Sequence, residues 1–215
     1  MINRIALASP VLTLGLILAC VAVAPEASAQ SCGAADATLG TPRSKGKLKS
    51  SYDKFADSTY LESKSQGWEF LGQNELMEIS FVAVRAGQTA SPMVGVMHLK
   101  GTHQVNGHVQ VSQTPDLFSD SSSAIVVADT ARFSLRASGH RAKRVQSALI
   151  GPPSITEDVY FPVTTDHLAT IARARAGGIR IGAFDLSMQR QIAESADAVY
   201  RAVACESAHA STGAP

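Results

Sequence analysis

The chain has 215 residues, 45% of them hydrophobic, and 19 Lys and Arg balance 18 Asp and Glu to a formal net charge of +1. Near-neutrality excludes bulk electrostatics as the basis of a partner: a strongly basic balance would point to nucleic acid or an anionic membrane, and a strongly acidic one to basic ligands. The length suits one domain with one core.

The N-terminus reads as an export signal. After Arg4 the run from Ile5 to Val23 is almost wholly apolar, and Ala27-Ser28-Ala29 places small residues where a signal peptidase reads, predicting cleavage before Gln30. Retention as a membrane anchor competes with cleavage, because the run approaches the roughly 20 residues a spanning helix needs. No basic stop-transfer cluster follows Val23, so the mature chain is expected to hold no stable membrane span. Lipidation at Cys20 is a further alternative, although Val21-Ala22-Val23 extend the apolar run beyond that cysteine.

Removal of residues 1–29 leaves 186 residues at the same net charge, since Arg4 and Glu26 leave together. Cys32 and Cys205 are then the two remaining cysteines, and an oxidising compartment favours their pairing. Such a bond would staple the two ends of the chain, with a chain-entropy contribution of about 5 kcal/mol. Their wide spacing disfavours a redox role, which normally uses C-x-x-C.

Residues 30–50 mix Gly, Ser and Ala with Arg43, Lys45, Lys47 and Lys49 and read as a flexible lead-in to a domain over 51–215. Glu75–Arg85, Met93–Leu99, Ala124–Ala128 and Val159–Val163 read as strands. Asn106-Gly107 signals a type I′ hairpin in which Val105 faces His108 and His103 faces Gln110. Asp129-Thr130-Ala131 separates a second hairpin, whose later arm sends Phe133 and Leu135 to the core and Arg132, Ser134 and Arg136 to solvent. The polar stretches Phe118–Ser123 and Ser138–Arg144 read as loops.

Past residue 163 the period changes. Thr164 or Thr165 can cap a helix to about Arg175, terminated by Gly177-Gly178, with a short strand Ile179–Gly182 after it. Phe184 and Leu186 are expected inward, with Ser187 capping a final helix. Met188, Ile192, Ala196, Val199 and Val203 form the buried stripe of that helix. Its i,i+4 pairs Arg190/Glu194 and Asp197/Arg201 read as a solvated face. The expected class is α+β: a mainly antiparallel sheet followed by a helix-strand-helix end.

Chemistry is harder to find. His98, His103 and His108 recur every five residues, but His98 has the wrong strand parity unless Gly101 introduces a bulge. No Asp, Glu or Cys stands nearby in sequence at matching parity, so no metal site is expected. Ser51-Tyr52-Asp53-Lys54 matches S-x-x-K without K-T-G, and Asp166-His167 selects no serine for a triad. Phosphate-binding loops, G-x-S-x-G and H-E-x-x-H are missing, so no catalytic residue or cofactor is assigned. Arg132, Arg136, Arg141, Lys143 and Arg144 form the densest basic stretch, a weak candidate for anionic ligands that lacks the aromatic interleaving nucleic acid needs.

Three patches carry a resemblance: Tyr52-Asp53-Lys54-Phe55-x-Asp57-x-Thr59; Asp129-x-x-Arg132-Phe133; and Phe161-Pro162-Val163-Thr164 through Leu168, Ile171 and Ala172 to Ile179-Arg180-Ile181-Gly182-x-Phe184-x-Leu186. In these, but not over 60–120, the chain resembles a family of uncharacterised exported bacterial proteins. The resemblance implies an exported α+β domain and carries no activity onto particular residues. The expectation is therefore a non-catalytic binding or envelope-associated protein of the periplasm or cell envelope, secretion being a further destination. Its partner would be an envelope protein or glycan and not nucleic acid. A small envelope hydrolase is the alternative if Ser51, Asp53, His98, His103 or His167 converge in one cleft.

Overall fold

The computed structural model describes residues 27–28, 47–70, 75–88, 93–105, 112, 114–146 and 153–212. Its strands are β1 (Ala27–Ser28), β2 (Lys47–Asp53), β3 (Ser58–Glu62), β4 (Gln66–Phe70), β5 (Glu75–Ala86), β6 (Val94–Gln104), β7 (Ser123–Ala128), β8 (Ala131–Arg136), β9 (Gly139–Val145), β10 (Ser154–Val163), β11 (Gly177–Ile181) and β12 (Phe184–Ser187). The helices are α1 (Thr165–Arg173) and α2 (Arg190–Thr212). The class is α+β: antiparallel strands followed by a helix, the β11–β12 hairpin and a helix.

The larger sheet runs β1-β2-β3-β5-β6-β10-β9, with β4 also paired to β5; the smaller runs β12-β11-β7-β8. β3 and β4 are one strand interrupted by a bulge. Glu62 pairs with Val82 and Gln66 with Ile79, so three residues, 63–65, oppose two. Ser63 holds this kink: its N–H donates to the Phe81 carbonyl and its Oγ accepts the Phe81 N–H, both at 2.9 Å. The extra residue reverses parity. Before it Thr59 and Leu61 face the core, whereas after it Trp68 and Phe70 do.

On the inner face of the larger sheet Met77, Ile79, Phe81, Met97, Leu99, Val159 and Phe161 are fully buried, in one apolar cluster with residues of α1, α2 and the smaller sheet. Gly101 lies in regular register with Met77 and Glu157, without a bulge. It makes room for Phe118, whose ring carbon would stand 2.9 Å from a Cβ at that position. The segment Phe118–Ser122 is the expected loop, but Phe118 itself is buried.

Several local expectations are corrected. Residues 139–144 are strand, because β9 gains a ladder with β10 that its polar sequence does not advertise. Within the expected lead-in, residues 47–50 belong to β2, and β1 pairs with Leu48 and Lys47. His103 pairs with Glu75 of β5 and Ile155 of β10; Asn106, Gly107, His108 and Gln110 of the expected hairpin lie outside the described residues. Helix α1 stops at Arg173, and Gly177-Gly178 open β11 instead of ending the helix. Ser187 ends β12, leaving Met188 before α2.

The largest correction concerns the supposed solvated face of α2. Arg190 and Glu194 form an exposed pair at 2.6 Å, but Arg201 is 0% and Asp197 2% exposed. Residues 195–201 are buried in succession, so the middle of α2 is enclosed all round. Among the described residues no helix is long and apolar enough to cross a membrane.

Candidate functional site

The outer face of the larger sheet carries the first candidate. Alternation on β5, β6, β9 and β10 directs Glu78, Lys100, Asp158 and Arg141 outward. They stand directly opposite one another strand by strand, with charge alternating across the row. The next row holds Ser80, His98 and Tyr160. His98 stacks on Tyr160 with centroids 4.9 Å apart and planes 8° from parallel. Its Nε2 lies 2.9 Å from Asp158 Oδ1, and its Nδ1 3.5 Å from Ser80 Oγ. Burial and the neighbouring Asp158 carboxylate raise the Tyr160 pKa above its ordinary value, which keeps the phenol neutral.

Ser80, His98 and Asp158 form a serine-histidine-carboxylate line, but it is not built to attack a substrate. Ser80 is 3% exposed and its hydroxyl also donates to Glu62 at 3.2 Å. A nucleophile must present its oxygen to substrate. The line instead holds the imaginary plane of the His98 ring parallel to Tyr160. Both side chains wall a hollow of about 410 Å³ with Ser51, Tyr60, Glu62, Ser138 and Arg141, over Val82, Val84 and Val96. An adjoining hollow of about 530 Å³ shares Ser51 and Tyr60 and continues to Tyr52 and Phe55.

The turn carrying Phe55 explains most of the first resembling patch. Asp53 Oδ1 accepts the N–H groups of Phe55 and Ala56, the Tyr52 hydroxyl donates to Asp57 at 2.7 Å, and Thr59 Oγ1 donates to the Gly87 carbonyl. Phe55 has no such task. It is 90% exposed, with Lys54 Nζ 5.0 Å from its ring centroid.

A second constellation lies on the inner face, near one end of the sheet. Glu157 is 0% exposed, and its carboxylate accepts Leu117 N–H at 2.7 Å and Phe118 N–H at 3.1 Å. His140 Nε2 stands 2.8 Å from Glu157 Oε2, and His103 Nδ1 4.0 Å from Oε1. Asp116 completes a group with His140 and Glu157 whose ligating atoms lie within 4.8 Å of one another, while Arg144 is ion-paired with Asp116. In the sequence no acid stands near His103 at matching parity. The structure supplies Glu157 from β10, 54 positions away. The readable signal was the alternation Ile155-x-Glu157-x-Val159-x-Phe161, which puts a glutamate among core positions.

The remaining expected residues are dispersed. Ser51 and His98 share the outer hollow, Asp53 lies in its neighbour, and His103 is on the opposite face. His167 belongs to the α1 cap: its N–H donates to Thr164 Oγ1, its Nδ1 accepts Thr164 N–H, and its ring stacks on Phe133 at 4.2 Å. Of the basic stretch, Arg141 lines the outer hollow, Lys143 is exposed, and Arg144 pairs with Asp116. Arg132 and Arg136 are exposed on β8, in the other sheet. Cys205 is buried on α2, whereas Cys20 and Cys32 lie outside the described residues. No family model matches the chain, and no curated protein or solved structure matches it significantly.

Proposed function

We propose that the protein is exported to the periplasm or cell envelope and acts there as a non-catalytic binder, with the outer sheet face as its ligand seat and an acidic glycan as its ligand. The observation that carries this reading is the continuity of the two hollows through Ser51 and Tyr60. It sets Tyr160 and Tyr60 on one face, with the exposed Phe55 beyond them and Arg141 and Glu62 beside them. Aromatic rings offer flat apolar area at little conformational cost, Arg141 suits a carboxylate, and Glu62 and Ser138 can accept from or donate to hydroxyls. Export rests on the Ile5–Val23 run and Ala27-Ser28-Ala29. A Cys32–Cys205 staple would tie α2, where Cys205 is buried, to the start of the mature chain.

Calorimetric titration of the mature protein with uronic-acid and muramic-acid oligosaccharides tests the ligand. Binding weakened about 10-fold by Tyr160→Ala or Arg141→Ala supports the reading; the corresponding energy is about 1.4 kcal/mol. No oligosaccharide binding, with capture of one protein from envelope extract, would replace the glycan by a protein partner. Cleavage of a bound oligosaccharide, abolished in His98→Ala, would favour the hydrolase alternative.

A further inference from the structure

The geometry points to a divalent transition-metal site on the inner face of the larger sheet, with His103, His140 and Glu157 as ligands and Asp116 as the fourth. This site is separate from the proposed glycan groove, because these side chains leave the sheet on its other face.

Two observations make the cluster more than a buried carboxylate with hydrogen bonds. His103 is 7% exposed, and its Nδ1 is buried without a hydrogen-bond partner among the described residues although it faces Glu157 at 4.0 Å. Such an orphaned nitrogen is costly unless something else engages it. Across the strand, Glu75 beside His103 likewise buries Oε2 without a hydrogen-bond partner among the described residues.

The donor set selects the ion. Two imidazoles with one or two carboxylates suit zinc and its first-row neighbours, whereas calcium and magnesium prefer all-oxygen sets. Zinc bonds of about 2.0–2.2 Å arranged tetrahedrally put neighbouring ligand atoms about 3.3 Å apart. Asp116, His140 and Glu157 already bring their ligand atoms within 4.8 Å of one another, with His140 Nε2 at hydrogen-bond distance, 2.8 Å, from Glu157 Oε2; His103, outside that group and 4.0 Å from the other oxygen, Oε1, would have to move in. The Leu117 and Phe118 N–H groups orient the Glu157 carboxylate, the outer-shell arrangement that metal-binding carboxylates use. Asp116 exchanges Arg144 for the ion. It is the most exposed of the four.

Purified mature protein is stripped with chelator and titrated with zinc, reading stoichiometry by calorimetry and elemental analysis and ligand geometry from the visible spectrum of the cobalt(II) form. The expected result is one zinc per chain and a tetrahedral cobalt spectrum. His103→Gln should weaken binding by about 10-fold or more, and Asp116→Asn by less. Circular dichroism must first show that both variants retain the wild-type fold. Absence of stoichiometric binding to wild type, or equal binding by wild type and a folded His103→Gln variant, overturns the assignment.

Discussion

Arg201 Nε donates to Asp197 Oδ1 at 3.0 Å, one turn away on α2, and the side chains are 0% and 3% exposed. An i,i+4 pair on a solvated helix is worth only about 0.2–0.5 kcal/mol. Enclosed in the core, the same pair has different consequences when one member is lost. Arg201→Ala takes the compensating charge from a buried carboxylate and should cost about 3–5 kcal/mol, whereas replacing both residues with well-fitting apolar side chains should cost far less. Urea unfolding of the two variants checks the contrast, and equal losses would contradict it.

The bulge between β3 and β4 sets which side of the strand enters the core. Ser195 on α2 also donates to the Lys64 carbonyl at 3.0 Å, tying the bulge to the helix. Deleting Lys64 should restore simple alternation and turn Trp68 and Phe70 outward. Trp68 is the only tryptophan, so its fluorescence should shift to the red. Ser63→Ala, which leaves the buried Phe81 N–H without its acceptor, should cost about 1–3 kcal/mol without that shift.

Asp129 has φ 51° in the β7–β8 turn, and its carboxylate accepts the N–H groups of Arg175 and Ala176 at 3.0 Å each. This clasp joins the hairpin to the segment after α1. Asp129→Ala should lose about 1–2 kcal/mol of stability. Asp129→Asn should lose less, because asparagine keeps an acceptor and tolerates positive φ. Thermal melts of both variants provide the comparison.

Gly177 adopts φ 150°, and a Cβ there would lie 2.0 Å from the Val127 carbonyl oxygen of the neighbouring strand. Backbone cannot yield as a side-chain tip can. Gly177→Ala should cost more than about 3 kcal/mol and raise hydrogen exchange across β7 and β11 first.

The Arg180 guanidinium grips Asp185 through two bonds, at 2.6 and 3.0 Å, and holds its carboxyl below the ordinary value of 3.8. A depressed folded-state pKa stabilises the fold above the unfolded value, and that contribution disappears as pH falls through the folded one. NMR titration should therefore place the Asp185 midpoint below 3.8, and Arg180→Ala should move it upward. Both side chains are exposed, so the effect should diminish with added salt.

Much of the fold was legible because it repeats locally. Runs rich in Val, Ile, Phe and Leu revealed β5 and β7, alternation revealed β8, and the 3.6-residue period revealed the buried side of α2 through Ile192, Ala196, Val199 and Val203. β9 was missed because Gly139–Val145 is polar and acquires its strand conformation from pairing with β10. The odd spacing of His98 and His103 placed them on opposite faces of a regular strand, and it could say nothing of what each would meet there.

What met them was decided in three dimensions. Pairing β6 with β10 brings His103 toward Glu157, pairing β10 with β9 adds His140, and the loop before Phe118 adds Asp116. On the other face the same pairings put His98 between Asp158 and Tyr160. The amino-acid sequence by itself determined the α+β class, through periodicities that depend only on neighbours along the chain. Tertiary structure alone decided that Asp197 and Arg201 are buried and that two unlike side-chain clusters lie on opposite faces of one sheet. Burial and cross-strand proximity depend on residues far apart in the chain, which no local pattern records.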